Sequence, residues 1–278
     1  MANKHESLKS LFVDIADAIR GQTGDAGTIA ADEFPDYIRN NLNAKKVKPY
    51  LSFASEGPFS ISVNNATKNW DGTLEYSTDA SNWSTWDGTT AISSGAIGSR
   101  QVLYLRGAGN TKITGISSNY RWVISGSDVK CYGNIENLLD YVTVSSGEHP
   151  TMARYCYYSM FSGCTGLTTA PELPATTLAD ECYDSMFSGC TGLTAAPELP
   201  ATTLANFCYA NMFYNCKKIK LSSSKTGEYT QGYRIPTAGT GTEGTNSLTS
   251  MFSGSGGTFT DTPSINTTYY LHSSNTIV

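Results

Sequence analysis

The residues best suited to redox or metal chemistry in this 278-residue chain are its seven cysteines. Six of them form pairs whose members are eight residues apart: Cys156/Cys164, Cys182/Cys190 and Cys208/Cys216. In a helix, eight residues span about 12 Å, which exceeds the roughly 7 Å over which a disulfide can join two Cα atoms. None has the C-x-x-C spacing typical of zinc ligands. The pattern predicts free thiols that pack as small apolar side chains, with no metal and no other cofactor.

Acid–base chemistry would need histidines or carboxylates with partners. His5, His149 and His272 are scattered along the chain, and none lies in a motif with a Ser, Cys or carboxylate. Glu172 and Glu198 are copies at one position of a repeat, so the sequence distinguishes neither as the acid or base of a glycosidase. A non-enzymatic protein is favoured. A glycan-cleaving enzyme stays open as an alternative, because folding brings distant residues together.

Two tryptophans, Trp83 and Trp86 in the sequence NWSTW, could lie on one strand face and stack on a sugar ring. The favoured alternative is that they pack in the core of a β-sandwich or in a domain contact.

Composition excludes several classes of partner. The chain is 39% apolar and 15% charged, its net charge is −5, and no Lys/Arg run interrupts it, so nucleic acid is not an expected partner. No stretch approaches the ~20 apolar residues of a membrane span, so no membrane insertion is expected. The polar start, MANKHESLKS, lacks the features of a secretory signal, which predicts folding in a cytoplasm.

Residues 1–43 are predicted to form two short helices that serve as an attachment or oligomerisation segment. Five apolar residues recur at helical spacing on one face: Leu8, Leu11, Phe12, Ile15 and Ile19. Two helices of this length bury too little apolar surface to be stable alone. We therefore expect them to bind other proteins of an assembly or their own copies, with a homotrimer as the favoured oligomer.

Residues 44–130 have the period of two that is typical of strands. The runs LSF (51–53), FSISV (59–63), TLEYST (73–78), VLYLRG (102–107) and YRWVIS (120–125) predict an antiparallel sandwich that acts as a spacer. The segment LEYSTDASNWSTW resembles the central hairpin of immunoglobulin-like or fibronectin-like modules.

Residues 131–278 contain a repeat with a period of 26. Residues 156–181 and 182–207 are identical at 22 of 26 positions, and Met160, Met186 and Met212 mark the register. Apolar residues at i, i+3, i+4, i+7 and i+8 predict a helix over about 178–188, followed by a short strand. The expected fold class is therefore multi-domain α+β: N-terminal helices, an immunoglobulin-like sandwich and a leucine-rich-repeat-type solenoid of helix plus strand.

The candidate binding residues are those that break the repeat. Tyr158 is replaced by Asp184 and then by Ala210, and Glu181 by Phe207, which predicts a solvent-facing surface. Tyr158, Asp184 and Phe207 are therefore candidate receptor-binding residues. A C-terminal tip of Tyr269, Tyr270 and His272 is the second candidate.

The repeat sequences MFSGCTGL and APELPATTLA closely resemble BspA-like leucine-rich repeats, which occur in bacterial surface proteins and in phage tail fibre and receptor-binding proteins. The segment IADAIR (15–20), a TG turn and Phe34-Pro35 resemble a region of phage tail and baseplate proteins. These resemblances imply a bacteriophage virion protein, a tail or head fibre, that binds other virion proteins through residues 1–43. Its repeats would bind a host cell-surface glycan or protein. The alternative is a bacterial surface adhesin of the BspA-like type.

Overall fold

The computed structural model describes residues 48–278, and residues 49–278 form one compact unit. The predicted attachment helices, with Leu8, Leu11, Phe12, Ile15 and Ile19, lie outside the described residues. The first strands are β1 Leu51–Ser55, β2 Ser60–Val63, β3 Thr73–Ser77, β4 Ser84–Trp86, β5 Ile92–Ser93, β6 Gly95–Ile97, β7 Arg100–Ala108, β8 Trp122–Ser125 and β9 Val129–Tyr132. They are followed by α1 Asn137–Ser145, β10 Leu167–Thr169, β11 Ala195–Ala196, β12 Lys220–Ser222, β13 Tyr229–Arg234, β14 Gly256–Gly257, β15 Thr268–His272 and β16 Thr276–Ile277.

The first part of this unit consists of two packed sheets. Strands β5, β2 and β8 form an antiparallel sheet, and β9, β1, β7, β3 and β4 belong to a larger one. Trp86 of β4 packs edge-to-face on Trp122 of β8, with ring centroids 5.3 Å apart, so the sheets share a core. All five strand runs predicted from the sequence are confirmed, because alternating apolar residues bury one face of each strand.

The larger sheet continues from this part into the repeats. Its order is β16-β11-β10-β9-β1-β7-β3-β4, and β9 pairs antiparallel with β1 and parallel with β10. The buried residues of both parts form one apolar cluster. A continuous sheet and a continuous core therefore join the strands before position 130 to the repeats after it.

The predicted repeat of helix plus strand is wrong. The stretch assigned to a helix is a series of turns, and α1 is the one α-helix in residues 48–278. Glu181, Ser185 and Gly189 have φ of 57°, 57° and 73°, so every fourth residue is left-handed and no helix can propagate. The equivalent residues of the other coils behave alike: Tyr155, Ser159 and Gly163; Phe207, Asn211 and Asn215; Asn246, Ser250 and Gly254. The fold is therefore mostly strand and turn.

Backbone hydrogen bonds explain why this coil replaces a helix. The amides of Cys182, Met186 and Ser188 each donate to the carbonyl three residues earlier and close a turn. The alternate amides donate to the next coil, as Tyr183 does to Cys208 (3.0 Å) and Phe187 to Met212 (3.0 Å). Because half of the amides bond between coils, each coil needs its neighbour, as in other solenoids.

Identical residues in successive coils stack as ladders. Phe161, Phe187, Phe213 and Phe252 lie with ring centroids 5.3–5.8 Å apart and nearly parallel planes. The phenylalanine ladder ends on Trp122 at one side (6.1 Å) and on Tyr233 at the other (6.0 Å). The aromatic core of the repeats is thus closed at both ends.

The segment after Ser222 changes only the strand side of the coils, where β10, β11 and β12 lie, and leaves the side formed by the turns unchanged. The backbone amide of Phe213 still donates to the carbonyl of Met251 (2.9 Å), which lies 38 residues further along the chain. The fourth coil therefore continues the series of turns. On the strand side, β12 joins β14, β15 and β13 in a separate sheet, and β16 from the end of the chain pairs with β11.

Candidate functional site

The turn face of the coils carries the first set of predicted binding residues. Tyr158 is half-buried, with its ring 5.7 Å from that of Tyr155. Asp184 is only 8% exposed and its carboxylate accepts a hydrogen bond from the Ser185 hydroxyl (2.7 Å). Burial raises the pKa of Asp184. The interpretation of this repeat position as a solvent-facing one is therefore wrong for Asp184, and for Ala210, which is 1% exposed.

Phe207 belongs to a different row of the same face. It is half-buried and left-handed, and its counterparts in the earlier coils are Tyr155 and Glu181. The guanidinium of Arg154 pairs with Glu181 (2.6 Å) and lies over the ring of Tyr155 (4.6 Å). This row brings together an arginine, a carboxylate and aromatic rings. A comparison of the repeat sequences alone does not reveal this cluster.

The predicted C-terminal tip is only partly accessible. Tyr269 is 7% exposed and packs on Phe259, whereas Tyr270 and His272 are half-buried on the other face of β15. His272 lies edge-on to Tyr229 (5.2 Å), and its Nδ1 is 2.8 Å from the hydroxyl of Ser274. Tyr269 therefore supports the fold, and only Tyr270 and His272 remain available as contact residues.

Trp83 and Trp86 lie on opposite faces of their sheet, because residues three apart in a strand point in opposite directions. Trp86 is 2% exposed in the core. Trp83 is on the outer face, where the guanidinium of Arg106 lies 4.0 Å from its ring and 4.5 Å from that of Tyr141. Arg106 also pairs with Glu75 (2.7 Å), so the cationic partner of Trp83 is itself engaged in an ion pair.

The structure brings one histidine to a carboxylate that the sequence did not identify. His149 Nδ1 lies 2.7 Å from Oε2 of Glu136, whose side chain is 1% exposed. Burial raises the pKa of Glu136, and the hydrogen bond from His149 opposes this shift without cancelling it. Oε1 of Glu136 and the hydroxyl of Tyr183 are buried without a hydrogen-bond partner within residues 48–278.

The seven cysteines are buried and unbridged. The thiols of Cys164, Cys190 and Cys216 donate to the carbonyls of Trp122, Phe161 and Phe187, respectively. Burial raises the pKa of Cys190 well above its ordinary value, which keeps it as an unreactive thiol. The predicted packing role is confirmed, although the helix geometry used to infer it is not. No cluster of three or more potential metal ligands occurs among residues 48–278.

A groove of about 450 Å³ lies at the seam between the first sheets and the repeats. Its floor is one cross-strand row of the large sheet: Ala54, Lys130, Thr169, Ala195 and Thr276. Ala and Thr side chains are short, so the row forms a depression. Further lining residues are Ser55, Glu56, Arg100, Asp128, Thr168, Gly192, Thr194 and Lys218. No sequence pattern indicates this groove, because its residues come from six strands and from loops between them.

Comparisons with protein-family models, with curated proteins and with solved structures find no match for this chain. No helix of the described residues is long and apolar enough to cross a membrane.

Proposed function

We propose that the chain is a non-enzymatic attachment protein of a bacteriophage virion, a tail or head fibre with a receptor-binding role. It would be assembled in the host cytoplasm, and residues 1–43 would bind other virion proteins. The repeats would contact a glycan or protein of the host cell surface. The resemblance of the repeats to BspA-like sequences in phage fibres supports this proposal.

The observation that carries the proposal is the pre-organised stack of coils. Inter-coil hydrogen bonds recur at every second residue, for example from Ser185 to Ala210 (2.8 Å) and from Gly189 to Tyr214 (2.7 Å). The aromatic ladders and the shared core fix the relative positions of the coils. A surface held in one conformation loses little conformational entropy on binding, which favours recognition over a large area.

Competition for adsorption tests this function. Purified full-length chain is added to a panel of bacterial strains, and phage from the same source as the chain is added afterwards. The chain should bind the susceptible strains and block adsorption of the phage. Antibodies raised against the chain should label the fibre ends of intact particles. Heat-unfolded chain at the same concentration is the control and should not compete.

Three outcomes would overturn the proposal. Absence of both particle labelling and competition would exclude a virion attachment role. Labelling of the surface of uninfected bacteria would favour the BspA-like bacterial adhesin. Release of soluble oligosaccharides from cell envelopes by the pure chain would favour a glycan-cleaving enzyme.

A further inference from the structure

The groove at the seam has polar groups that are not engaged in hydrogen bonds. The hydroxyls of Thr169 and Thr276, in the floor row, form no hydrogen bond within residues 48–278. The neighbouring hydroxyls are engaged: that of Thr194 donates to the carbonyl of Thr168 (3.1 Å), and that of Thr168 to Val129 (3.3 Å). These bonds orient one side of the groove and leave two hydroxyls on its floor for a ligand.

The groove also carries charges without ion-pair partners, on Lys130 of the floor row and on the rim. Arg100, Lys130 and Lys218 line it together with Glu56 and Asp128, and all five are exposed. None forms a salt bridge with another described residue. Three cations against two carboxylates give a local positive excess, whereas the whole chain has a net charge of −5. This local excess of one positive charge favours an anionic group at the groove.

The lining also indicates what the remainder of the ligand is. No aromatic side chain lines the groove, and its only purely apolar side chains are those of Ala54 and Ala195. Carboxylates such as those of Glu56 and Asp128 accept hydrogen bonds only, so they suit a ligand with several hydroxyl donors. A volume of about 450 Å³ lies within the range of small-ligand sites.

We propose that this groove binds an acidic oligosaccharide of the host surface. Its carboxylate would pair with Lys130 and with Arg100 or Lys218, and its hydroxyls would bond to Thr169, Thr276 and the two rim carboxylates. This inference rests on the proposed attachment function and gives it a ligand class. The site lies on the strand side of the coils, away from the turn-face residues predicted from the sequence.

The test uses full-length chain on an array of carboxylate-bearing oligosaccharides and their carboxyl-reduced, neutral counterparts. We expect binding to at least one acidic member and about tenfold weaker binding to its neutral counterpart, because charge-assisted hydrogen bonds are lost. Lys130→Ala should weaken acidic binding by about tenfold as well. Lys225→Ala removes an exposed lysine outside the groove and should leave it unchanged.

Each remaining result has a definite meaning. Equal binding of acidic and neutral members, or unaltered binding by both Lys130→Ala and Lys218→Ala with normal unfolding midpoints, would overturn the groove proposal. Blocked phage adsorption by a chain that binds no acidic saccharide would overturn it too, while leaving the attachment function in place. Acidic binding without cell binding would instead overturn the attachment function.

Discussion

The residues that the coils place in the left-handed conformation have a strained backbone. Tyr155, Glu181 and Phe207 have φ of 62°, 57° and 53°, and for residues with a Cβ this conformation costs about 1 kcal/mol or more. The bonds to the next coil offset that cost, for example from Phe207 to Thr245 (3.0 Å). The sequence contains one indication of this left-handed conformation, because Gly or Asn occupies the third left-handed position of every coil.

Glu136 has an environment that ties the stability of the fold to pH. Its carboxyl is buried and its pKa is raised, so the folded chain holds this proton more tightly than the unfolded chain. The stabilisation from the protonated form is complete below the ordinary pKa of 4.5 and is lost as pH rises through the folded value.

The replacement Glu136→Gln should therefore flatten part of the pH dependence of the free energy of unfolding. Relative to this variant, the wild type should lose stability as pH rises from below 4.5 to neutrality, because only the wild type ionises a buried carboxyl. Urea unfolding at several pH values measures the difference. Glu148→Gln, at an exposed position, is the matched control, and an identical pH profile for both variants would contradict the assignment.

The coil is the element that holds the repeats together. Phe187 is fully buried and stacks between Phe161 and Phe213 at 5.8 and 5.7 Å. The same coil exposes little apolar surface, because Met186 and Cys190 are buried beside it. Loss of one ring therefore leaves a cavity in a ladder that cannot close without moving two neighbouring coils.

Phe187→Ala should cost about 3–5 kcal/mol of unfolding free energy through lost burial and the cavity. Tyr214→Ala removes an aromatic ring of similar size from the next coil, but that ring is 41% exposed. It should cost less than about 1 kcal/mol. Chemical unfolding of both variants gives the comparison, and equal costs would show that the phenylalanine ladder is not the core of the repeats.

Across the whole described molecule, a single sheet and a single core join two parts that the sequence presents separately. The row from Ala54 through Lys130 and Thr169 to Ala195 crosses the seam without interruption. Phe161 of the first coil also packs on Phe53 of β1 (6.2 Å) and on Trp122 of β8 (6.1 Å). Contacts of this density favour unfolding of both parts together.

Tryptophan fluorescence can test this coupling, since the chain has four tryptophans, Trp70, Trp83, Trp86 and Trp122, and all precede the repeats. Phe187→Ala should shift the fluorescence transition and the far-UV circular dichroism transition to the same lower denaturant concentration. A fluorescence midpoint that stays at the wild-type value would mean that the two parts unfold independently.

Sequence patterns alone located several of the local elements correctly. Period-two runs identified β1, β2, β3, β7 and β8, and the 26-residue spacing identified the register of the coils. The burial of the repeated Cys, Tyr, Met and Phe residues also followed, because each copy must bury the same face. These features depend on neighbouring residues and on near-identical copies, which a sequence displays directly.

Tertiary structure alone decided between helix and coil, and decided where the open groove lies. Apolar residues recur every four positions in the coil and every 3.6 in a helix, so over about ten residues the two patterns coincide. What separates them is the set of hydrogen bonds to a coil 25 residues further on, such as Tyr157 to Cys182 (2.8 Å). The groove likewise needs Lys130, Thr169 and Thr276 in one row, and only the parallel pairing of β9, β10, β11 and β16 brings such distant residues together.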